Sequence, residues 1–94
     1  MEITDIKIRK LTDEAKMRAI VSVTLDDELV IHDIKIISGY DKMFLAMPSR
    51  RLLSGSFTDI VHPTNEDLRA RIESAVLTEF EKYTVGDFEN STLI

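Results

Sequence analysis

The chain has 94 residues with 44% apolar and 31% charged side chains, a net charge of −5 and no cysteine. Such a composition indicates one soluble globular domain, and the lack of cysteine excludes disulfides and thiolate metal sites. The N-terminal segment lacks the regions of a signal peptide, and no apolar run approaches the roughly 20 residues of a membrane span. We therefore expect a cytoplasmic protein with no membrane association.

The negative charge is unevenly distributed along the chain. Residues 1–54 contain nine basic and nine acidic side chains, whereas residues 55–94 contain three basic and eight acidic ones. Exposed charges further apart than about 8–10 Å are largely screened at physiological salt. The acidic net charge is therefore compatible with a local basic patch and with nucleic-acid binding.

The first two-thirds of the chain shows the period-two alternation of β-strands. Strands are predicted at residues 3–11, 17–25, 29–37, 43–47 and 57–61. Residues 12–15, the acidic run 26–28 and residues 38–41 are predicted connections, and residues 49–56 a loop. Pro48 should end the pairing of the fourth strand or place it on an edge. Connections this short favour an antiparallel meander.

The third predicted strand is apolar on both faces. Val30, Ile34 and Ile36 alternate on one face beside His32, and Leu29, Ile31 and Ile37 alternate on the other. This pattern is typical of a strand that is covered on both sides. A chain of 94 residues has few elements that could pack on both faces of this strand. The pattern therefore favours a dimer.

One helix is predicted after His62 and Pro63. Thr64 as N-cap with Asp67 at N3 resembles a capping box, and Asp67 and Arg71 form an i,i+4 ion pair. An apolar stripe recurs at helical spacing: Leu68, Ile72, Ala75, Val76, Phe80 and Tyr83. Gly86 is expected to stop or break the helix.

The predicted fold class is α+β, a five-stranded antiparallel meander sheet followed by a C-terminal amphipathic helix, dimerising through sheet pairing. The predicted domain spans residues 1–85, and residues 86–94 are expected to form a flexible tail.

Side chains suited to catalysis or metal binding are few. His32 lies in an apolar strand and is expected to be a satisfied, partly buried imidazole, and His62 is expected to fix the start of the helix. A Ser49–His62 pairing of nucleophile and base stays open, although neither residue lies in a nucleophile motif. The acidic run 26–28 indicates a hairpin turn rather than a calcium loop. We therefore expect no enzyme, no metal site and no cofactor.

Arg50 and Arg51 are the most conspicuous basic residues. They are the only adjacent arginines in the chain, and no acidic residue lies between Lys42 and Asp59. A planar guanidinium group suits bidentate contact with phosphate and with guanine. The pair alone is compatible with nucleic-acid binding and with a protein-interaction surface.

Four further basic residues are weaker candidates for a binding surface. Arg69 and Arg71 lie about 160° apart on a helix, so both cannot line one narrow patch. Asp67 is expected to form an ion pair with Arg71, so Arg69 is the more available of the two for binding a ligand. Lys7 and Arg9 share one strand face, which is more often simply a solvated face.

Three segments closely resemble the stage V sporulation protein G family, the septation proteins SpoVG. These segments are MEITDIKIRK, MRAIVSVTLDDELVIHDIKII and FLAMPSRR…FTDIVHPT…R, in family order over roughly residues 1–83. They include the motifs HDI at 32–34, AMPS at 46–49 and DI-HP at 59–63. The resemblance implies a small bacterial cytoplasmic protein linked to septation, sporulation and regulation of gene expression. It also implies a homodimer with sheet pairing across subunits and direct binding to DNA and RNA.

The resemblance assigns nucleic-acid contact to Arg50 and Arg51, after the MPS motif, and to Arg69 in the early helix. Two departures from the family pattern stand out. Leu52-Leu53-Ser54-Gly55 replaces a polar Thr-Pro-Asp-Gly-like turn, and Thr58 replaces a frequent lysine or arginine.

The sequence therefore predicts a homodimeric regulator that binds DNA and RNA through Arg50, Arg51, Arg69 and Arg71. Lys7 and Arg9 are secondary candidates for the same surface. The alternative is a protein-interaction module of the division septum machinery that docks partners through Leu52 and Leu53, with incidental nucleic-acid binding.

Overall fold

The computed structural model describes residues 1–12 and 16–93, with the backbone alone from residue 84 onward. Four strands form an antiparallel sheet in chain order: β1 (Ile3–Leu11), β2 (Met17–Leu25), β3 (Leu29–Ser38) and β4 (Met43–Ala46). A separate pair follows, β5 (Ser49–Arg51) and β6 (Phe57–Asp59), and then the helix α1 (Glu66–Leu93). The α+β class is confirmed, but the prediction of one five-stranded sheet is wrong. The predicted connection at residues 12–15 lies outside the described residues, apart from Thr12.

Pro48 explains why the last strands leave the sheet. Proline has no backbone N–H and cannot continue a hydrogen-bonded ladder. The residues after it, predicted as a loop, instead pair with β6 in the register Ser49↔Asp59, Arg50↔Thr58 and Arg51↔Phe57. The Pro48 carbonyl accepts a hydrogen bond from the Ile60 amide at 2.7 Å and closes the base of this hairpin. We call residues 49–59 the ribbon.

The turn of the ribbon depends on a glycine. The Gly55 amide donates to the Leu52 carbonyl at 2.9 Å, and the Leu52 amide donates to the Ser56 carbonyl at 2.8 Å. Gly55 has φ +94°, which L side chains rarely adopt. The turn is therefore a three-residue hairpin loop in which a left-handed residue completes a bulge.

The acidic run is a second tight turn, as the sequence predicts. Asp26 and Asp27 have φ values of 54° and 53°, and the Glu28 amide donates to the Leu25 carbonyl at 3.0 Å. Two consecutive left-handed residues are what a type I′ hairpin turn requires. The Glu2 amide donates to Asp26 Oδ1 at 2.8 Å, so the carboxylate holds the start of β1 in place.

The helix covers one face of the four-stranded sheet. Its buried side chains are Ile72, Val76 and Phe80, which confirms the centre of the predicted apolar stripe. Tyr83, at the end of that stripe, is 46% exposed. The opposing core residues are Ala19, Val21, Val23, Leu25, Ile34, Ile36, Leu45 and Met47. Burial of each large aliphatic side chain contributes about 1.5–3 kcal/mol, so this layer stabilises the fold.

A β-bulge in β3 corrects the predicted face assignment. Val21 pairs with Ile34 and Val23 with Ile31, so two residues of β3 oppose one residue of β2. Asp33, inside the bulge, has φ 63°, a conformation that aspartate tolerates better than most residues. The extra residue brings Ile31 to the core side together with Ile34.

The other face of β3 is not covered within one chain. Val30, which pairs with Thr24 on that face, is 43% exposed, whereas Leu29 pairs with Leu25 on the core side and is 48% exposed at the start of the strand. The two-faced apolar pattern therefore arises partly from the bulge and not from burial of both faces.

The N-terminus of α1 is capped by Asn65 and not by Thr64. Asn65 Oδ1 accepts a hydrogen bond from the Leu68 amide at 2.8 Å, which is the N3 position of a helix beginning at Glu66. The predicted capping box is therefore wrong by one residue. The predicted ion pair between Asp67 and Arg71 is confirmed, with 3.1 Å between Oδ2 and Nε.

The helix passes Gly86 and ends at Leu93, beyond the predicted stop. Glycine inside a helix costs about 1 kcal/mol relative to alanine and does not forbid the conformation. The domain boundary at residue 85 stays a prediction.

Candidate functional site

The ribbon carries the arginine pair in full contact with solvent. Every residue from 49 to 60 is exposed, and the hairpin is held by its own backbone hydrogen bonds. Among the residues that the structure describes, neither the Arg50 nor the Arg51 guanidinium has an ion pair or a side-chain hydrogen bond. Each group could therefore bind an anion without displacing an existing partner.

The two arginines point to opposite faces of the ribbon. Side chains alternate along a strand, so Arg50 shares a face with its partner Thr58, and Arg51 shares the other with its partner Phe57. Phe57 is 68% exposed. The sequence predicts a loop at residues 49–56, and a loop has no defined faces to which Arg50 and Arg51 could be assigned. The arrangement allows each guanidinium to contact a different phosphate.

The tip of the ribbon is apolar. Leu53 is 110% exposed and Leu52 is 37% exposed. Residues 50–54 line an open depression of about 590 Å³. The two leucines therefore lie next to the arginines and are free to contact a partner.

Arg71 forms hydrogen bonds to another residue of α1 and to the N-terminal residue. Its Nε donates to Asp67 Oδ2 at 3.1 Å, and its Nη1 donates to the Met1 carbonyl at 2.8 Å. Two of the five N–H donors of Arg71 are therefore already used, and a phosphate would compete with Asp67 for this guanidinium. Arg69 is half-buried and forms no ion pair within the described part of the chain. Both lie on α1, which packs against β1 and β4.

A second basic surface lies on the outer face of the sheet, which we define as the face opposite α1. Lys7 pairs with Ser22, Lys10 pairs with Ile20, and Ile20 also pairs with Lys35. These three exposed lysines therefore share the outer face.

Arg9 lies on the same outer face, since its Nε donates to Ser22 Oγ at 3.2 Å. The sequence predicted Lys7 and Arg9 there and missed Lys10. A register shift between Ile8 and Lys10 turns Lys10 outward, and simple alternation cannot anticipate it.

Ser22 connects three strands on the outer face. It is 4% exposed, and its Oγ lies 2.8 Å from His32 Nδ1 while accepting from Arg9. The His32 imidazole is therefore satisfied, as predicted, but His32 is exposed and not partly buried. The bulge at Asp33 turns it away from the core. Arg9 is thus partly committed to this network.

Within the described residues, the second histidine, His62, forms no hydrogen bond with Ser49, the serine of the suggested pairing. His62 Nδ1 donates to the Pro63 carbonyl at 2.9 Å, a local contact at the approach to α1. Among the side chains of residues 1–12 and 16–83, no three histidine, aspartate or glutamate groups come close enough together to hold a metal ion. No helix in the described residues is long and apolar enough to cross a membrane.

Known proteins match nearly the whole chain. A family model described as SpoVG matches residues 1–82. A relative from Thermoanaerobacter pseudethanolicus is 57% identical over 82 residues, covering 87% of this chain and 89% of the relative. Another, from Desulforudis audaxviator, is 56% identical over 88 residues, covering 94% of this chain and 100% of the relative. Both carry the name "Putative septation protein SpoVG".

Proposed function

The chain belongs to the SpoVG family, and from this premise we propose that it is a regulatory protein that binds DNA and RNA through the ribbon. The observation that carries the proposal is the pair of exposed arginines, Arg50 and Arg51, which have no ion pair among the described residues and lie in a stretch without acidic residues. The relatives are named for septation. We place the regulator in the cytoplasm, where it modulates gene expression and cell division. The family is not a known enzyme family, and the proposed role is not catalytic.

The shape and chemistry of the ribbon support this role. A two-stranded β-ribbon fits the major groove of duplex DNA. Arginine binds phosphate and guanine through two parallel hydrogen bonds. Lys7, Arg9, Lys10 and Lys35 on the outer face of the sheet would add sequence-independent attraction. Arg69 would extend the contact along α1, and Arg71 would do so after leaving Asp67.

We further propose that the protein acts as a homodimer through sheet pairing at β4. An edge strand with apolar, uncharged residues favours pairing with another chain. On β4, Met43 is 36% exposed and Phe44 is 39% exposed. β1, the other edge, carries Lys7, Arg9 and two register shifts, which are devices that discourage edge pairing.

A dimer would present four ribbon arginines to one nucleic acid. Sedimentation velocity at micromolar concentration should give twice the mass of the chain. A monomer under these conditions would contradict the dimer.

The binding proposal is tested by replacing both ribbon arginines. Arg50→Gln/Arg51→Gln should fold normally, since both side chains are exposed and unpaired. Its affinity for duplex DNA and for RNA should fall sharply in a gel-shift titration at physiological salt. The slope of log K against log salt should flatten by about 0.9 for each phosphate of duplex DNA that the variant no longer neutralises.

Lys42→Gln/Lys82→Gln is the matched control, since it removes the same charge from exposed positions outside the ribbon. It should retain the affinity and most of the slope. Unchanged affinity and slope in the arginine variant would contradict the assignment of the ribbon as the binding site.

A second candidate function rests on the exposed tip. Leu53 is fully exposed to solvent. An exposed apolar side chain on a projecting turn suits a protein partner of the division machinery. Leu52→Ser/Leu53→Ser would then abolish capture of that partner and leave nucleic-acid affinity unchanged. If the same variant loses nucleic-acid affinity instead, the tip belongs to the nucleic-acid site.

A further inference from the structure

Phe57 is the large aromatic side chain of the ribbon and has no role in the core. Its ring is 68% exposed, and it lies outside the buried apolar cluster and the residues packed against it. Core burial therefore does not account for an aromatic residue at this position.

Within the paired residues of the ribbon, the neighbours of Phe57 on its face are polar. Arg51 lies directly opposite it in the register, and the next pair on that face is Ser49 and Asp59. Side chains directly opposite in an antiparallel pair have Cβ atoms about 4.5–5.5 Å apart. One face of the ribbon therefore presents a ring and a guanidinium group side by side. A ligand that carries a flat apolar group next to an anionic group would match both.

We propose that the Arg51–Phe57 face is a stacking subsite for an unpaired base, so that the protein prefers single-stranded segments of DNA or RNA over the same sequence in a duplex. The inference rests on the nucleic-acid-binding role proposed above and specifies its ligand. A base would stack on the Phe57 ring while Arg51 binds an adjacent phosphate. Aromatic platforms flanked by basic groups bind single strands in this way.

The preference for single strands follows from access to the faces of the bases. In a duplex both faces of an interior base are covered by its neighbours in the stack, so the Phe57 ring cannot reach them. Bases of loops and single strands are free to stack on protein side chains. Arg50, on the opposite face of the ribbon, binds phosphate of either form, so the duplex keeps the electrostatic part of the affinity.

The charges around Phe57 argue against a second copy of the chain as its occupant. Pairing this face with another protein surface would bury the Arg51 and Asp59 charges, which have no partner on the ribbon. Burial of unpaired charge is costly. A nucleic acid supplies both the stacking surface and the opposite charge for Arg51.

The test compares one oligonucleotide in single-stranded and duplex form, by fluorescence anisotropy at one fixed salt concentration. Phe57→Ala should lose about tenfold in affinity for the single strand, a typical loss when one stacked base loses its aromatic partner. Its affinity for the duplex and its salt slope should stay unchanged, since the substitution removes no charge. Phe57→Tyr keeps the ring and should retain both affinities. Arg51→Gln should weaken binding to both forms and flatten both salt slopes.

Phe57→Trp supplies a direct signal of stacking. Its fluorescence should be quenched by the single strand and much less by the duplex. Equal quenching by both forms would overturn the proposal.

The remaining outcomes separate this inference from the function on which it rests. If Phe57→Ala loses nothing, or loses affinity equally for both forms, the stacking subsite is overturned while arginine-mediated binding stands. If Phe57→Ala changes the sedimentation coefficient, the ring contacts a second copy and the subsite is also overturned. If the unmodified protein binds neither form, the nucleic-acid-binding function itself fails.

Discussion

The ribbon and the sheet–helix layer are both built from antiparallel strands, yet they are stabilised in different ways. In the layer, β2, β3 and α1 bury aliphatic side chains such as Val21, Ile34 and Val76 completely. In the ribbon, residues 49–59 are all exposed and hold together by backbone pairing and one glycine turn. An isolated two-stranded hairpin is marginally stable in water. The residues that form the core are therefore not the ribbon residues proposed to bind, and substitutions in the core and in the ribbon should affect stability and binding separately.

The largest loss of stability is expected for a substitution in the core. Ile72→Ala should lower the free energy of unfolding by about 2–5 kcal/mol, because it removes a fully buried side chain and leaves a cavity. Ile60→Ala is the matched control at the base of the ribbon, where the side chain is 66% exposed. It should change the free energy by less than about 0.5 kcal/mol. Urea unfolding of both variants measures the difference, and equal losses would remove the distinction between the two regions.

A smaller effect is expected at the ribbon turn. Gly55→Ala forces a side chain into a φ of +94°, at a local cost of about 1–2 kcal/mol. Because the ribbon is marginal by itself, this cost should open the hairpin while the core keeps its melting temperature. Amide hydrogen exchange should then accelerate at Leu52 and Gly55 and stay unchanged at Val21 and Ile34. Acceleration spread evenly over the sheet would mean that the ribbon and the core unfold as one unit.

The N-terminal cap of α1 should affect stability and leave binding unchanged. Asn65→Ala should cost about 1 kcal/mol of global stability, since it removes the hydrogen bond to the Leu68 amide. Thr64→Ala, at the position that the sequence favours as cap, should cost little. Both variants should keep the nucleic-acid affinity of the unmodified protein. Thermal unfolding measures the stability of both variants, and gel-shift titration measures their nucleic-acid affinity. A larger loss of stability for Thr64→Ala than for Asn65→Ala would contradict the observed cap.

Much of the fold was predictable from the sequence, because hydrophobic periodicity fixes it. The alternating residues of β2 and the central stripe of α1 are buried as predicted. The errors lie where one residue is inserted into a strand or where a cap shifts by one position. The bulges beside Lys10 and Asp33 reverse which side chains face out. Asparagine ranks above threonine as a cap by type, but the spacing from Thr64 to Asp67 imitates a capping box and favoured the wrong residue.

The candidate site was predictable in position but not in form. The adjacent arginines and the acid-free interval pointed to Arg50 and Arg51. Residues 49–51 have no alternating pattern of their own, so residues 49–56 are predicted as a loop, although residues 57–61 are predicted as a strand. Without that register, the placement of Phe57 beside Arg51 could not be foreseen.

Our main hypothesis is that nucleic acid binds the ribbon and leaves residues 73–83 of α1 free. It is tested most directly by following backbone amide chemical shifts of the labelled protein during titration with an oligonucleotide. We expect the largest changes in chemical shift at residues 49–59 and little change at residues 73–83 of α1. Large changes along residues 73–83 with an unperturbed ribbon would contradict it.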